Sequence, residues 1–272
     1  MRVLHATGYY FPDSTGGTEV YLDGLTRELS AVGCESMVLA PSRDMTESAY
    51  DWRGVPVRRF PWSHGGRREI ISGNEPHLGF DRFEEILATS GATVYHQHAW
   101  SGGCGAQHLR AAKALGMRTV VTVHVPGFSC LAGTMMREGK GPCDGRIDAL
   151  RCGTCWGVVR KGLPAEIARP ALRLALGARS LGGPVARLAA RATAAFDAHR
   201  RHFDTLLECS DRIVAVCDWL RDALLLNGVR ADRLVSYPTG IDAVVGNGTV
   251  LPPAGESMQG ALPGRLLRGG KG

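Results

Sequence analysis

Apolar positions change period several times along the chain, and each change marks an element. Arg2 to Thr7 is a short apolar run of strand type, followed by turn formers at Gly8, Pro12, Asp13, Ser14, Gly16 and Gly17. From Thr18 the spacing becomes helical, with Leu22, Leu25, Leu29 and Val32 on one stripe and Gly33 as the stop. Glu35–Ala40 and Val55–Phe60 read as strands with a Trp- and Arg-containing loop between them. Phe80–Thr89 reads as a helix, Thr93–His96 as a strand, Cys104–Leu115 as a helix closed by Gly116, and Arg118–His124 as a buried strand. This alternation predicts an α/β fold, a Rossmann-like and mostly parallel sheet with helices on both faces.

The rhythm breaks at residues 126–157, a Gly- and Pro-containing insertion with four Cys. Residues 158–208 read as mainly helical, interrupted at Pro164, Pro170 and Gly182-Gly183-Pro184. Arg212–Val216 is then a strand, Asp218–Asn227 a helix with Trp219, Leu220 and Leu224 inward, and Leu234–Tyr237 a last strand. Residues 1–242 therefore read as one domain. Residues 243–272 are dense in Gly and Pro without periodicity, and a disordered tail is expected there.

Composition narrows the class. The formal net charge is +6, and between Arg160 and Arg201 nine Lys or Arg face only two acids, Glu166 and Asp197. Such a segment suits an anionic surface, or is simply a solvated helix face. The start lacks the apolar core of a secretory signal, and the longest uncharged stretch, Ile86 to Leu109, carries three His, Gln97 and several Gly. Eight Cys without a signal predict thiols or a metal site rather than a disulfide scaffold, and a cytoplasmic setting.

Four groups of residues carry candidate chemistry. Gly16 and Gly17 lie where backbone N–H groups meet the positive end of a helix dipole, an arrangement suited to phosphate. The spacing differs from the dinucleotide-binding GxGxxG. His124 closes the RTVVTVH strand at its carboxyl edge, where open α/β sheets bind ligands. His96 and His98 share a strand face by the two-residue period, with His98 nearer the strand end as an acceptor contact or a packing partner of Trp100. Cys130, Cys143, Cys152 and Cys155 form C-x12-C-x8-C-x2-C, a donor set for structural zinc, with free thiols or a redox-labile CxxC as alternatives. Cys34, Cys104, Cys209 and Cys217 lie in periodic elements and read as core. No hydrolase nucleophile elbow and no HExxH signature is present.

Three segments resemble family 4 glycosyltransferases: MRVLHATGYYFPDSTGGTEVYLDGLTREL, TVVTVHVPGFSC with the Cys pattern behind it, and DRIVAVCDWLRDALLLNGVRADRLVSYPTGID. The last ends in Thr239-Gly-Ile-Asp where the family usually has Asn-Gly-Ile-Asp. The resemblance implies the GT-B architecture, in which two Rossmann-like domains face each other across a cleft. The N-terminal domain holds the acceptor and the C-terminal domain the nucleotide-sugar donor. It implies sugar transfer with retention, without a catalytic metal, from a nucleotide-diphosphate sugar to a saccharide or lipid-linked acceptor.

By that resemblance His124 works at the reaction centre, Gly16 and Gly17 face the donor phosphates, and His98 touches the acceptor. GRLLRGGKG resembles the start of the donor domain, with Arg265 and Lys271 in phosphate-binding places. Since the later donor-site Glu pair is missing, the expectation is an incomplete enzyme, inactive alone. Its basic helices would rest on a membrane leaflet. The alternative is a non-catalytic zinc-containing module with a nucleic-acid- or membrane-binding surface. Few aromatics interleave the basic residues, which counts against nucleic acid.

Overall fold

The computed structural model describes residues 1–42, 44–67, 70, 75–177 and 183–238. These belong to one compact unit, Met1–Gly240. The expected tail, with Arg265 and Lys271, and the Thr239–Asp242 motif lie outside the described residues.

The apolar runs form one sheet of eight strands. In chain order the elements are β1 (Arg2–Ala6), α1 (Gly17–Ala31), β2 (Glu35–Ser42), β3 (Ser48–Trp52), β4 (Val55–Pro61), α2 (Phe80–Thr89), β5 (Val94–Gln97), α3 (Ala106–Ala114) and β6 (Arg118–Val123). A two-stranded hairpin, β7 (Met136–Arg137) and β8 (Gly141–Pro142), precedes α4 (Ala149–Lys161), α5 (Ala165–Gly177) and α6 (Gly183–Cys209). The chain then adds β9 (Arg212–Ala215), α7 (Asp218–Leu226) and β10 (Leu234–Ser236). The sheet order is β10-β9-β6-β5-β1-β2-β4-β3. Neighbours run parallel except β3, which pairs antiparallel with β4.

Period-two alternation sends successive side chains to opposite faces. Leu4, Ala6, Tyr95, Val121, Val123, Ile213 and Ala215 enter a large core with Phe83, Leu109, Phe203, Leu220 and Leu224 of α2, α3, α6 and α7. On the other face Val38, Ala40 and Val57 pack with Leu22 of α1 and Tyr10 of the loop before it.

Several expectations change. The loop between β2 and β4 contains strand β3, whose residues SAYDW mix polar and apolar positions too evenly to signal a period. The buried stripe of α1 is Glu19, Leu22, Asp23 and Thr26, while Val32 is exposed. Trp219 and Cys217 are exposed rather than core. Of the breaks expected in residues 158–208, Pro164 falls between α4 and α5 and Gly183 starts α6, whereas Pro170 lies inside α5. The insertion is also partly helical, because α4 begins at Ala149 and carries the CxxC pair. There Gly153 and Gly157 act as small contact residues. A Cβ on Gly153 would lie 2.5 Å from Leu172 of α5, so the glycine sets the close approach of the two helices.

Candidate active site

The sheet is built outward from β1, with β2 on one side and β5 on the other. Strand order reverses there, and the crevice beyond the carboxyl ends of such strands is where open α/β sheets take ligands. Three features of this chain converge on it: the loop before α1, the helix itself, and the histidines at the ends of β1, β5 and β6.

The loop is held from below. Arg59 of β4 is buried, and its Nη2 donates to the carbonyls of Tyr10 (2.9 Å) and Phe11 (3.1 Å) and to Tyr50 Oη (2.9 Å). The same nitrogen pairs with Asp13 at 3.0 Å. Tyr50 Oη also donates to Phe11 O, and Phe11 stacks on Trp52 with ring centroids 4.8 Å apart. Strand β3 thus supports the loop that leads into Gly16 and Gly17.

At the head of α1, Gly16 is the extended N-cap and Gly17 the first helical residue. The Glu19 carboxylate folds back over Gly16, accepting from Ser14 Oγ at 3.1 Å, so that a Cβ on Gly16 would meet its oxygen at 2.6 Å. A Cβ on Gly17 would meet nothing within 4 Å. The chain's own packing does not require a glycine at 17, and the space beside it is open. The helix end therefore already carries one acidic side chain, and Gly17 rather than Gly16 offers the free approach.

On the α1 face the sheet is apolar at Val38, Ala40 and Val57 and polar toward β1, β5 and β6. His5, His96 and Thr122 occupy the face opposite Leu4, Tyr95 and Val121, in line with the alternation. His5 Nδ1 lies 3.1 Å from His98 Nε2, and His98 Nδ1 lies 3.4 Å from His124 Nε2. His5 Nε2 lies 3.4 Å from Ser36 Oγ, and His96 Nε2 is 2.8 Å from Thr122 Oγ1. The ring of Tyr21, on α1, stands edge-on to His124 with centroids 4.8 Å apart.

This row of imidazoles can carry its protons in two senses. Either Ser36 donates toward His5 and each ring passes an N–H to the next, or His124 donates inward and the row runs back to Ser36. The first sense makes His124 Nδ1 an N–H donor at the outer end. The second makes it an acceptor. Desolvation drops His5 to about 3 and His124 to about 4, and pushes His96 and His98 well below the usual histidine range, so the row is neutral at pH 7.

His124 is half-buried at the mouth of the crevice. His98 is not at the mouth: it is 2% exposed and both its ring nitrogens are engaged. His98 therefore presents no exposed nitrogen for the acceptor contact expected of it, and lies behind His124. Its other expected partner, Trp100, packs instead on Phe128. His5 was not singled out in the sequence, although its parity on β1 matches that of His96 on β5.

Among the described residues, His5, His96 and His98 are the group whose ligand atoms lie within 4.8 Å of one another. A metal there would have to displace the His5–His98 hydrogen bond. A second pair, His77 and His108, is internally satisfied. His77 Nδ1 donates to Leu78 O and His108 Nδ1 accepts from Gly105 N–H, which leaves His108 Nε2 to donate to His77 Nε2 at 3.1 Å.

The four cysteines of the insertion line one cavity of about 30 Å³ together with Arg137, Arg146 and Arg151. Burial pushes Cys152 up to about 11 and raises Cys155.

A comparison with curated proteins finds no match. Solved structures similar to the chain include the catalytic domain of starch synthase IV from Arabidopsis thaliana bound to ADP and acarbose (16% identity, TM-score 0.43, covering 88% of this chain and 52% of that one). They also include Anabaena HepE in complex with UDP (11%, 0.41, 89% and 45%). A third is a ugt transferase from Siraitia grosvenorii in complex with UDP (11%, 0.44, 88% and 51%). The chain spans about half the length of these structures. The family described as "Glycosyl transferase 4-like domain" matches residues 16–240, from the N-cap glycine of α1 to beyond β10, and so takes in the helix end and the outer histidines of the crevice. The chain belongs to the glycosyl transferase 4-like domain family.

Proposed function

We propose that this chain is the acceptor-side domain of a retaining GT-B glycosyltransferase that moves a hexose-type sugar from a nucleotide-diphosphate sugar to a saccharide or lipid-linked acceptor. The observation that carries this reading is the half-buried neutral His124 at the carboxyl end of β6, beside the open N-terminus of α1, in a chain of this family. His124 would hydrogen-bond a sugar hydroxyl through Nδ1, as donor or acceptor according to the sense of the row behind it. Gly17 would let the donor diphosphate approach the helix end, and Gly16 would keep Glu19 folded back.

Nucleoside and sugar contacts would come from a second, donor-binding domain, to which Arg265 and Lys271 would contribute. The test is calorimetric titration of this chain with UDP- and GDP-sugars, followed by a transfer assay. We expect no micromolar binding and no transfer by this chain alone. Micromolar binding followed by transfer would overturn the two-domain part of the reading. With a donor domain supplied, transfer is expected, and His124→Ala should lower kcat by about 10²–10³-fold, the scale of losing one hydrogen bond to developing charge. An unchanged kcat would remove His124 from the chemistry.

Peripheral contact with an anionic membrane is part of the proposal. Helix α5 exposes Ile167, Leu174 and Leu176 alongside Arg169 and Arg173, and among the described residues no helix is long and apolar enough to cross a membrane. Apolar side chains beside guanidinium groups suit the headgroup boundary. The chain should sediment with vesicles containing phosphatidylserine and be released by high salt. Equal sedimentation with neutral vesicles at any salt concentration would rule out this surface.

A further inference from the structure

We propose that Cys130, Cys143, Cys152 and Cys155 form a structural zinc–thiolate site that locks the hairpin of the insertion to the first turns of α4. The inference is independent of sugar transfer, and its readout needs no substrate.

Sequence spacing brings the four Cys into one segment, and the fold brings them around one small cavity. Its volume of about 30 Å³ has room for an ion or a water but not for a sugar. Cys130 precedes the β7–β8 hairpin, Cys143 follows it, and Cys152 and Cys155 project from the start of α4. Three of the four sulfurs receive backbone amides: Met135 N–H reaches Cys130 Sγ at 3.4 Å, Glu138 N–H reaches Cys155 Sγ at 3.3 Å, and Asp148 N–H reaches Cys152 Sγ at 3.5 Å. Amides aimed at sulfur favour the thiolate and are the outer-shell partners that metal ligands recruit.

Backbone strain points to the same atoms. Met135 and Glu138 are non-glycine residues at positive φ, 52° and 53°, a conformation strained for side chains of the L hand. Both are residues whose N–H groups are turned toward a sulfur. Glu138 is further pinned by Arg169 at 2.6 Å. The cavity wall also carries Arg137 and Arg146, with Arg151 paired to Asp144 at 2.7 Å, and the first two suit a site whose net charge is negative when filled.

Binding is written as Zn²⁺ with four thiols giving a tetrathiolate of net charge −2 and four protons released to solvent. The S–H contacts now made to Met136 O, Arg146 O and the Asp144 carboxylate are surrendered in that step. The thiols must draw inward, because a tetrahedral site with bonds of about 2.3 Å needs its sulfurs less than about 4 Å apart.

The test is elemental analysis of the full chain purified without chelator under reducing conditions. About one zinc per chain is expected. Cys143→Ser should reduce it at least tenfold, and Cys217→Ser, which lies outside the site, should leave it unchanged. On the wild-type chain, so that misfolding of a variant does not confuse the result, stripping the metal should open residues 130–147 to protease and zinc should close them again. Cobalt in place of zinc should show the visible bands of a tetrahedral thiolate complex. Zinc below a tenth of an equivalent, with thiol reactivity indifferent to added zinc, would overturn the proposal. So would a Cys152–Cys155 disulfide in reduced preparations, or bound iron with sulfide.

Discussion

Acidification from pH 7 to pH 5 is expected to unfold this protein cooperatively, before most carboxylates titrate. Desolvation lowers seven of the nine histidines: His5 to about 3, His124 and His199 to about 4, and His77, His96, His98 and His108 by direction. In the unfolded chain each returns to about 6.5. Below that value the unfolded state binds more protons than the folded one, so stability falls as pH falls. The contribution is fully present above pH 6.5 and is lost on descending toward the folded values near 4 and 3. At pH 5 a histidine that stays neutral in the fold costs about 2 kcal/mol relative to one that is free to charge. His5, His124 and His199 together approach the lower end of the roughly 5–15 kcal/mol that holds a domain folded. The other four add to this. Near-UV circular dichroism against pH, read beside intrinsic fluorescence, should show one transition centred at about pH 5–5.5. A signal that stays flat down to pH 4.5 would mean that the row charges within the fold.

Replacing Arg59 by Met is expected to cost about 2–4 kcal/mol, the scale of leaving carbonyls without their charged donor. Asp13 contributes less to that figure, because its side chain is 60% exposed and its ion pair is screened by solvent. The apolar stem is kept in the variant, so the loss isolates the guanidinium, which ties Tyr10, Phe11, Asp13 and Tyr50 together. Residues 8–16 should also become the first site of proteolysis. Urea denaturation checks the first part and limited digestion the second. A loss of unfolding free energy below about 0.5 kcal/mol would show that Tyr50 and Trp52 hold the loop unaided.

The sequence made the sheet legible where strands were compact apolar runs, as in Arg118–Val123 and Arg212–Ala215. It concealed what depends on a partner's face. The sequence stripe of α1 is Leu22, Leu25, Leu29 and Val32, yet beside Leu22 the helix buries Glu19, Asp23 and Thr26, and the sheet face it covers carries histidines as well as aliphatic side chains. Arg59 sits at the same strand parity as buried Val57, a signal that was available but that its charge disguised. The four Cys were legible as a set. Their place on a helix was not, because Gly153 and Gly157 resemble loop residues until α5 is seen packed against them. Of the site residues, His124 and Gly17 stand at the crevice, Gly16 lies beneath Glu19, and His98 lies behind His124.

The antiparallel strand β3 also governs how the molecule meets its own copies. Every open sheet has two margins with unsatisfied backbone groups, and these invite a strand from another chain. On one margin β3 is only five residues long, and near its start Glu47 is clasped by Arg58 and Arg82, which sets charge beside the free edge. On the other, β10 offers three residues. Among the described residues both margins are short and one is charged, the features by which open sheets discourage pairing with a strand of another chain.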